Sequence, residues 1–411
     1  MPTPDVLVLQ ADSLGAVAVI RSLGRAQYRV HAASTRADAL GLRSRFAYRT
    51  VVSPPYSDRG YVPWLRDYVR THRVSAIVPS ESFILALGAA RAEFLPLIPF
   101  ARDERVVLDA MSKYALFENL LERAAPHLPP TLLVPNLRVV PSEDELERLG
   151  RPLYVKVDAC SSLDDSPGAT HCASSPAEAR AVLFRLQKSY SRALVQGHVP
   201  GQGVAAFFLS ARGEILAEMM HRRVHEVPYT GGVSSLRETW RQEAILKDAR
   251  DKLRAARWEG VAMMEYRWDS ATDRFAFVEM NARFWGSLHL ALYAGVDFPR
   301  LLLDAWQGLP VTAPPPRLGL RCRHVPDEIR HVWSKLNARE LRLTVKLAAA
   351  VEFVALALDP RVRSDLWFPG DTALFWSGLA QFGASLKRGT NWRRMFPPSG
   401  AAAPIRVTGE G

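Results

Sequence analysis

Apolar and polar positions along the chain change period several times, and each change marks an element. In "DVLVLQADSLGAVAVIRSLGRAQYRVHAAS" (5–34) the apolar run 6–9 predicts a buried parallel strand. Positions 14–23 recur at helical spacing, and another strand follows. "YVPWLRDYVRTHRVSAIVPS" repeats the order, a helix and then a strand over 75–78, and "ESFILALGAARAEF" supplies the next helix. Strands alternating with helices predict a small doubly wound α/β domain over residues 1–105.

The pattern then changes. A helix around "MSKYALFENLLERA" and the strand "PLYVKVDA" open a second region, in which "RALVQGHV" reads as a strand and "GVAAFFLSARGEILAEMMHRRV" as a hairpin. "GVAMMEYRWD" and "RFAFVEMNAR" predict two antiparallel strands joined by "SATD". This mixture implies an α+β domain over residues 106–310. "TAPPPRLG" is a proline-rich boundary, and 311–411 reads as a mainly helical extension. No internal repeat of 20–50 residues is visible.

Composition narrows the class. A length of 411 residues exceeds one ordinary core, which suggests two to four domains. With 48% hydrophobic and 23% charged residues, the chain has the profile of a soluble globular protein. "MPTPDVLVLQADS" lacks the basic and apolar regions of a signal peptide, and no window is long and apolar enough to span a bilayer. Cys160, Cys172 and Cys322 form neither a disulfide framework nor a metal-pair spacing, so a reducing cytoplasm is the expected location.

The formal charge is +11, and residues 311–411 hold 15 Lys and Arg against 8 Asp and Glu, so +7 of it falls there. A basic tail could meet nucleic acid or anionic lipid. The expectation is a solvated basic face with no nucleic-acid partner. Within the tail, "RELRLTVKLAAAVEFVALAL" (339–358) is basic in its first half and apolar in its second. Residues 365–396 mix Trp367, Phe375, Trp376, Phe382 and Trp392 with Lys387, Arg388, Arg393 and Arg394. Glu352, Asp365 and Asp371 interrupt any continuous basic apolar face. Packing on the core is therefore the expected role, with peripheral membrane contact as the alternative.

Candidate chemistry concentrates elsewhere. The first strand–helix loop, "QADSLGA", has one glycine, Gly15, where a dinucleotide fingerprint needs three, so NAD or FAD binding is not expected. In "FVEMNARFWGS" (277–287), Glu279, Asn281 and Arg283 occupy every second position, one face of a strand, among Phe277, Met280, Phe284 and Trp285. Glu265 lies on the strand expected to pair with it. Two carboxylates and an amide oxygen form a hard-oxygen cluster suited to magnesium. A pair of surface carboxylates with a capping asparagine fits the apolar flanks poorly, because isolated buried charge is costly.

On the paired "MMEYRWD…FVEMNARFWGS" the chain resembles the ATP-grasp superfamily. The likeness is to its carboxylate–amine ligases and to its carbamoyl-phosphate-synthase-like and biotin-carboxylase-like branches. It covers most of residues 1–310 and implies a preparatory α/β domain over 1–105 and an ATP-grasp lid and core over 106–310. The basic helical extension, 311–411, lies outside it. The resemblance assigns Glu265, Glu279 and Asn281 to two divalent ions, Mg2+ or Mn2+, that bridge the ATP phosphates, and gives Arg283 the transferring phosphoryl group or the acyl phosphate.

Lys156 in "PLYVKVDA" and Lys113 in "DAMSKYALFENLL" match lysines that contact phosphate, for which lysine supplies a flexible point charge. "LVQGHVPGQG" looks like the hinge that presents backbone groups to adenine, at Gln196, Gly197, His198 and Val199. An edge strand ending in a Pro-Gly turn is the other reading. "HRRVHEVPYTGGVSS" resembles a substrate-side element, with Arg222 and Arg223 for a carboxylate or phosphate and Gly231, Gly232 and Ser234 near an anion. A basic loop followed by a tight turn remains open there.

Two departures stand out. The loop "ACSSLDDSPGATHCA" (159–173), where relatives cover the phosphates with glycines, has only Gly168 and carries Asp164 and Asp165. Those acids repel ATP unless they bind substrate or point away. Gly197 stands where relatives often carry an acidic or bulkier residue. The implied activity is that of an ATP-dependent, ADP-forming ligase acting on a small-molecule carboxylate, activated as an acyl phosphate, and an amine. The alternatives are a bicarbonate-using carboxylase or carbamoyl-phosphate-type enzyme and a non-catalytic ATP-binding module. Neither a biotin-carrier segment nor a second synthetase half is visible.

Overall fold

A computed structural model of the chain describes residues 4–99 and 103–387. Strands β1 (Asp5–Val8), β2 (Arg29–Ser34), β3 (Arg49–Val52) and β4 (Val74–Val78) form a parallel sheet in the order β3-β2-β1-β4. Val6, Leu7 and Val8 are buried, as a strand covered on both faces requires. The helix Leu14–Arg25 begins where the Ser13 side chain accepts the Ala16 amide. The doubly wound arrangement expected from the sequence is present. The edge strand β3 had no apolar alternation to announce it, because three of its four residues are exposed. The helix expected over "ESFILALGAARAEF" is broken into Glu81–Ala86 and Arg91–Phe94 by Gly88, whose φ of +49° ends the first turn.

A second sheet holds β5 (Thr131–Val134), β6 (Leu153–Val157), β7 (Ala169–Ala173) and β8 (Ala193–Gly197) in the antiparallel order β5-β8-β6-β7. Leu153, Val155, Val157 and Val195 pack with Leu183 of the helix Pro176–Leu186 in a small core of their own. Alternation leaves Tyr154, Lys156, Leu194 and Gln196 on the opposite face.

The third sheet is β9 (Gln202–Ala211), β10 (Glu214–Val227), β11 (Val233–Thr239), β12 (Gly260–Asp269), β13 (Arg274–Asn281), β14 (Arg321–Arg323) and β15 (Val362–Ser364). Their order is β13-β12-β9-β10-β11-β14-β15. The hairpin β9–β10 and the pair β12–β13, joined by residues 270–273, match the sequence reading. Phe207, Phe208, Tyr266, Phe277 and Trp285 are buried beside this sheet, and one continuous apolar cluster joins it to the first domain.

Among the described residues, the region after 310 contributes three helices, Val325–Asn337, Leu343–Leu358 and Ala373–Lys387, and in addition two strands of this sheet, β14 and β15. Buried Arg21 of the first helix donates to Asp371 Oδ2 at 2.9 Å and to the carbonyls of Asp365 and Leu366 at 2.6 and 3.0 Å. Buried Arg237 pairs with Asp365. Of the tail residues singled out by sequence, Arg388, Trp392, Arg393, Arg394 and the Lys387 side chain lie outside the described residues. No described helix is long and apolar enough to cross a membrane.

Candidate active site

Glu265 on β12 stands directly opposite Glu279 on β13. The register slips by one residue between this pair and Tyr266–Phe277, so Val278 is an extra, bulged residue. The bulge has a chemical consequence. Phe277 turns into the core against Tyr266, with ring centroids 5.5 Å apart, while Glu279 stays on the face of Glu265. Asn281 Nδ2 donates to Glu265 Oε1 at 3.3 Å and to Glu279 Oε1 at 3.2 Å, bridging the two carboxylates. Its Oδ1 accepts from Arg283 Nη2 at 3.4 Å.

Cations from three other elements converge here. Lys113, the first residue of the helix Lys113–Glu122, lies 2.7 Å from Glu279 Oε2. Ser112 caps that helix, and Asp158, at the end of β6, accepts from the Ser112 hydroxyl and the Tyr114 amide at 3.0 and 3.1 Å. Asp158 thereby fixes the helix carrying Lys113 to the strand carrying Lys156. Lys156 Nζ reaches the carbonyl of the bulged Val278 at 3.4 Å. Arg223 on β10 pairs with Glu265 and holds Gly232 O at 2.9 Å. It crosses above Gly203, where a Cβ would meet Arg223 Cδ at 2.7 Å.

The charges are strongly coupled. Burial pushes Glu279 up, but Lys113 and Lys156 outweigh it and hold the carboxyl at about 2. Burial raises Glu265, with Arg223 pulling it back and Glu279 adding to the rise. Burial, partly offset by Glu279, lowers Lys156 to about 8. Among the described residues no group of three or more His, Cys, Asp or Glu is placed to hold a metal. The donor set is two carboxylates and one amide oxygen, all hard ligands, and it fits a magnesium-like ion. Lys113 and Arg223 neutralise those carboxylates in this arrangement, and Asn281 presents nitrogen to them.

Arg283 lies just past β13. Its Nη1 donates to Phe284 O at 3.1 Å, and Nε is 3.8 Å from Glu81 Oε2 without a hydrogen bond. A cavity of ≈ 20 Å³, room for about one water, opens there between Ser80, Glu81, Lys113, Asn281 and Arg283, floored by Ile84 and Met280.

The remaining expected residues divide. Gln196 is buried on the Lys156 face and donates to Thr131 Oγ1 at 3.1 Å. The Gly197 amide is engaged by Pro130 O at 2.9 Å, and a side chain there would run into the Leu149 carbonyl, which accounts for the glycine. His198 stacks on Tyr154, with centroids 6.1 Å apart; the described contacts assign nothing specific to Val199. Arg222 is not brought to the site: as the neighbour of Arg223 on a strand it takes the other face, where it pairs with Glu238 at 3.2 Å. Gly231 and Gly232, at φ of +133° and +152°, form the β10–β11 turn above Arg223, with the Gly231 amide bonded to Pro228 O. The Ser234 hydroxyl bonds to Leu236 O at 3.3 Å. Asp164 is exposed and is held by Ser162 and Ser166 of its own loop and by Ser189, which follows the helix Pro176–Leu186.

Sequence reasoning missed Glu81, Asp158 and Arg267. Arg267 sits two residues beyond Glu265 on the same face, bonded to Gly201 O at 3.2 Å and near Glu226, and the alternation that found Glu265 could have found it. Glu81 comes from the first domain, and only the chain's topology brings it here.

No family model and no curated protein matches the chain. Solved structures do. An L-amino acid ligase from Bacillus licheniformis superposes with a TM-score of 0.55 at 15% identity, over 74% of each chain. An N5-carboxyaminoimidazole ribonucleotide synthetase in its ADP complex gives 0.60 at 11% identity, over 86% of this chain and 97% of the other. The corresponding synthetase from Thermus thermophilus gives 0.56 at 18% identity, over 76% and 81%. The chain shares the fold of these ligases and synthetases, as its resemblance to the ATP-grasp superfamily implied.

Proposed function

We propose that the chain is an ATP-dependent, ADP-forming ligase that joins a small carboxylic acid to an amine. The observation that carries the reading is the facing pair Glu265 and Glu279, bridged by Asn281, with Lys113, Lys156, Arg223 and Arg283 gathered on it. The ligase and the ADP-bound synthetase among the structural neighbours support it.

In this reading Lys113 and Lys156 meet the ATP phosphates, and the Gln196–Val199 segment lies toward adenine. Glu265, Glu279 and Asn281 would hold one or two divalent cations, Mg2+ or Mn2+, which when bound offset phosphate charge. An oxygen of the substrate carboxylate attacks the γ-phosphorus, the bond to the bridging oxygen breaks, and ADP leaves. The amine nitrogen then attacks the acyl carbon, the C–O bond to the phosphoryl group breaks, phosphate leaves with that oxygen and its electron pair, and the nitrogen gives up its remaining extra proton to phosphate or solvent. The protein supplies position and charge rather than a nucleophile. The substrate carboxylate would lie at Arg283, and Glu81, beside Arg283, would take a proton from the ammonium group of the second substrate and so free the amine to attack. Three free cysteines and the need for ATP suit a cytoplasmic setting.

Hydroxylamine tests the reading. With ATP, magnesium and pools of acids, it should capture the acyl phosphate as a hydroxamate that mass spectrometry identifies. ADP release with no hydroxamate from any acid pool would contradict it, and absence of ATP turnover altogether would leave a binding module instead.

A further inference from the structure

The helix Leu343–Leu358 has 16 residues and carries two charges, Lys346 and Glu352. Ala349 and Leu356 are its buried residues, on the side that meets the helix Val325–Asn337. Leu343, Leu347, Val351, Val354 and Leu358 recur every third or fourth position, which places them on one face, and each is between 55% and 78% exposed. A continuous outward leucine–valine stripe of four turns is rare on a protein that stays in water.

Two of the acids of this region are buried, and Glu352 lies on the side of the helix away from the stripe. Glu352 points to His225, 3.3 Å away; Asp365 pairs with Arg237, and Asp371 with Arg21. Glu340 and Asp359, at the two ends of the helix, are engaged by the Tyr229 hydroxyl and by Arg361. The solvent-facing surface holds the apolar stripe and, at its amino-terminal end, Arg339, Arg342 and Lys346, with Glu340 beside them and Glu352 on the far side of the helix. Leu356 packs inward, but the five side chains of the stripe do not pack on the core, the role expected of the tail from sequence.

We propose that this face docks on an anionic membrane surface, the helix lying in the interface with its leucines and valines toward the acyl chains and its basic end at the headgroups. At 16 residues the helix is shorter than the ~20 needed to span, so it lies on the bilayer rather than crossing it. Arg339, Arg342 and Lys346 at the amino-terminal end of the stripe complement an anionic surface, whereas a second copy would meet them with the same sign of charge. Trp367 and Trp376, elsewhere in the region after residue 310, are also exposed, and tryptophan is enriched at such interfaces.

Co-sedimentation of the full chain with phosphatidylglycerol-containing and with pure phosphatidylcholine vesicles tests this. The protein should pellet with the anionic vesicles, release as salt is raised, and stay in solution with the neutral ones. Leu347→Glu with Val351→Glu should lower partitioning by on the order of 10-fold or more. Arg339→Ala, Arg342→Ala and Lys346→Ala together should lower it on the order of 100-fold, at ~1 kcal/mol per basic residue. Because these side chains face solvent, thermal melts and ATP turnover should match the parent protein. Equal pelleting with both lipids, no pelleting, or binding that survives Leu347→Glu/Val351→Glu overturns the proposal. So does a concentration-dependent dimer that these two changes disperse, since the occupant is then a second copy.

Discussion

Lys113 and Glu279 form an ion pair of 2.7 Å, so the lysine expected to meet phosphate already neutralises a carboxylate expected to meet metal. Both side chains are largely shielded from solvent. Nucleotide and cation would arrive together and separate the pair, phosphate taking the lysine and the divalent ion the carboxylate. Lys113→Ala should therefore tighten Mn2+ binding in the absence of nucleotide by ~5-fold, the equivalent of about 1 kcal/mol, while lowering ATP turnover. A titration of bound Mn2+ by electron paramagnetic resonance reads the first effect. Weaker Mn2+ binding in the variant would mean that Glu279 is not a metal ligand.

Glu279→Gln and Asn281→Ala should each lower ATP turnover by on the order of 10³-fold, about 4 kcal/mol of transition-state stabilisation, with the fold intact. Steady-state ADP release at saturating magnesium, alongside far-ultraviolet circular dichroism, checks both. Turnover within a few-fold of the parent removes the metal assignment.

The Lys156 ammonium, lowered to about 8 by burial, gives the free protein a pH dependence. Below that value the lysine is charged and attracts phosphate; above it the lysine must first take up a proton. The apparent Kd for ATP should rise by up to ~10-fold per pH unit above about 8, and Lys156→Arg should flatten the profile. Calorimetry in buffers of different ionisation enthalpy should show proton uptake at pH 9. An unchanged Kd between pH 7 and 9.5 contradicts this role.

Gly203→Ala tests the crossing of Arg223. The added Cβ would meet the Arg223 and Glu226 side chains rather than backbone, so the cost falls on the site. Turnover should drop at least ~10-fold, with unfolding free energy changed by no more than ~1 kcal/mol. A large loss of stability with normal turnover per folded molecule would show that Arg223 is structural.

Asp371→Ala leaves the fully buried Arg21 guanidinium without its carboxylate. Removing one partner of a buried pair costs ~3–5 kcal/mol, so urea denaturation should shift by that amount. A change below ~1 kcal/mol would mean that the region after residue 310 is only loosely attached.

Much of this was legible in the sequence, and the failures have identifiable causes. Alternation across "GVAMMEYRWD" and "RFAFVEMNAR" predicted the pairing that sets Glu265 opposite Glu279, because register on a half-buried face is strongly specified. The bulge at Val278 was invisible: strict alternation puts Phe277 on the Glu279 face, and the slip turns it into the core. Arg222 and Arg223 were read together, although adjacent strand residues must face opposite ways. Glu81 and Asp158 were illegible, because their roles arise from elements distant in sequence. In the tail, Glu352 is a surface charge as expected, whereas Asp365 and Asp371 are buried; which side of an element meets the core decides that, and the local pattern does not contain it.

The central claim is that a substrate carboxylate, not water, attacks ATP. Once hydroxylamine capture has identified the acid, the direct measurement uses that acid labelled with 18O in its carboxyl group, together with its amine, ATP and magnesium. The account predicts one 18O atom transferred to each inorganic phosphate released, in step with ADP. Phosphate free of the label, or AMP and pyrophosphate in place of ADP, would contradict it.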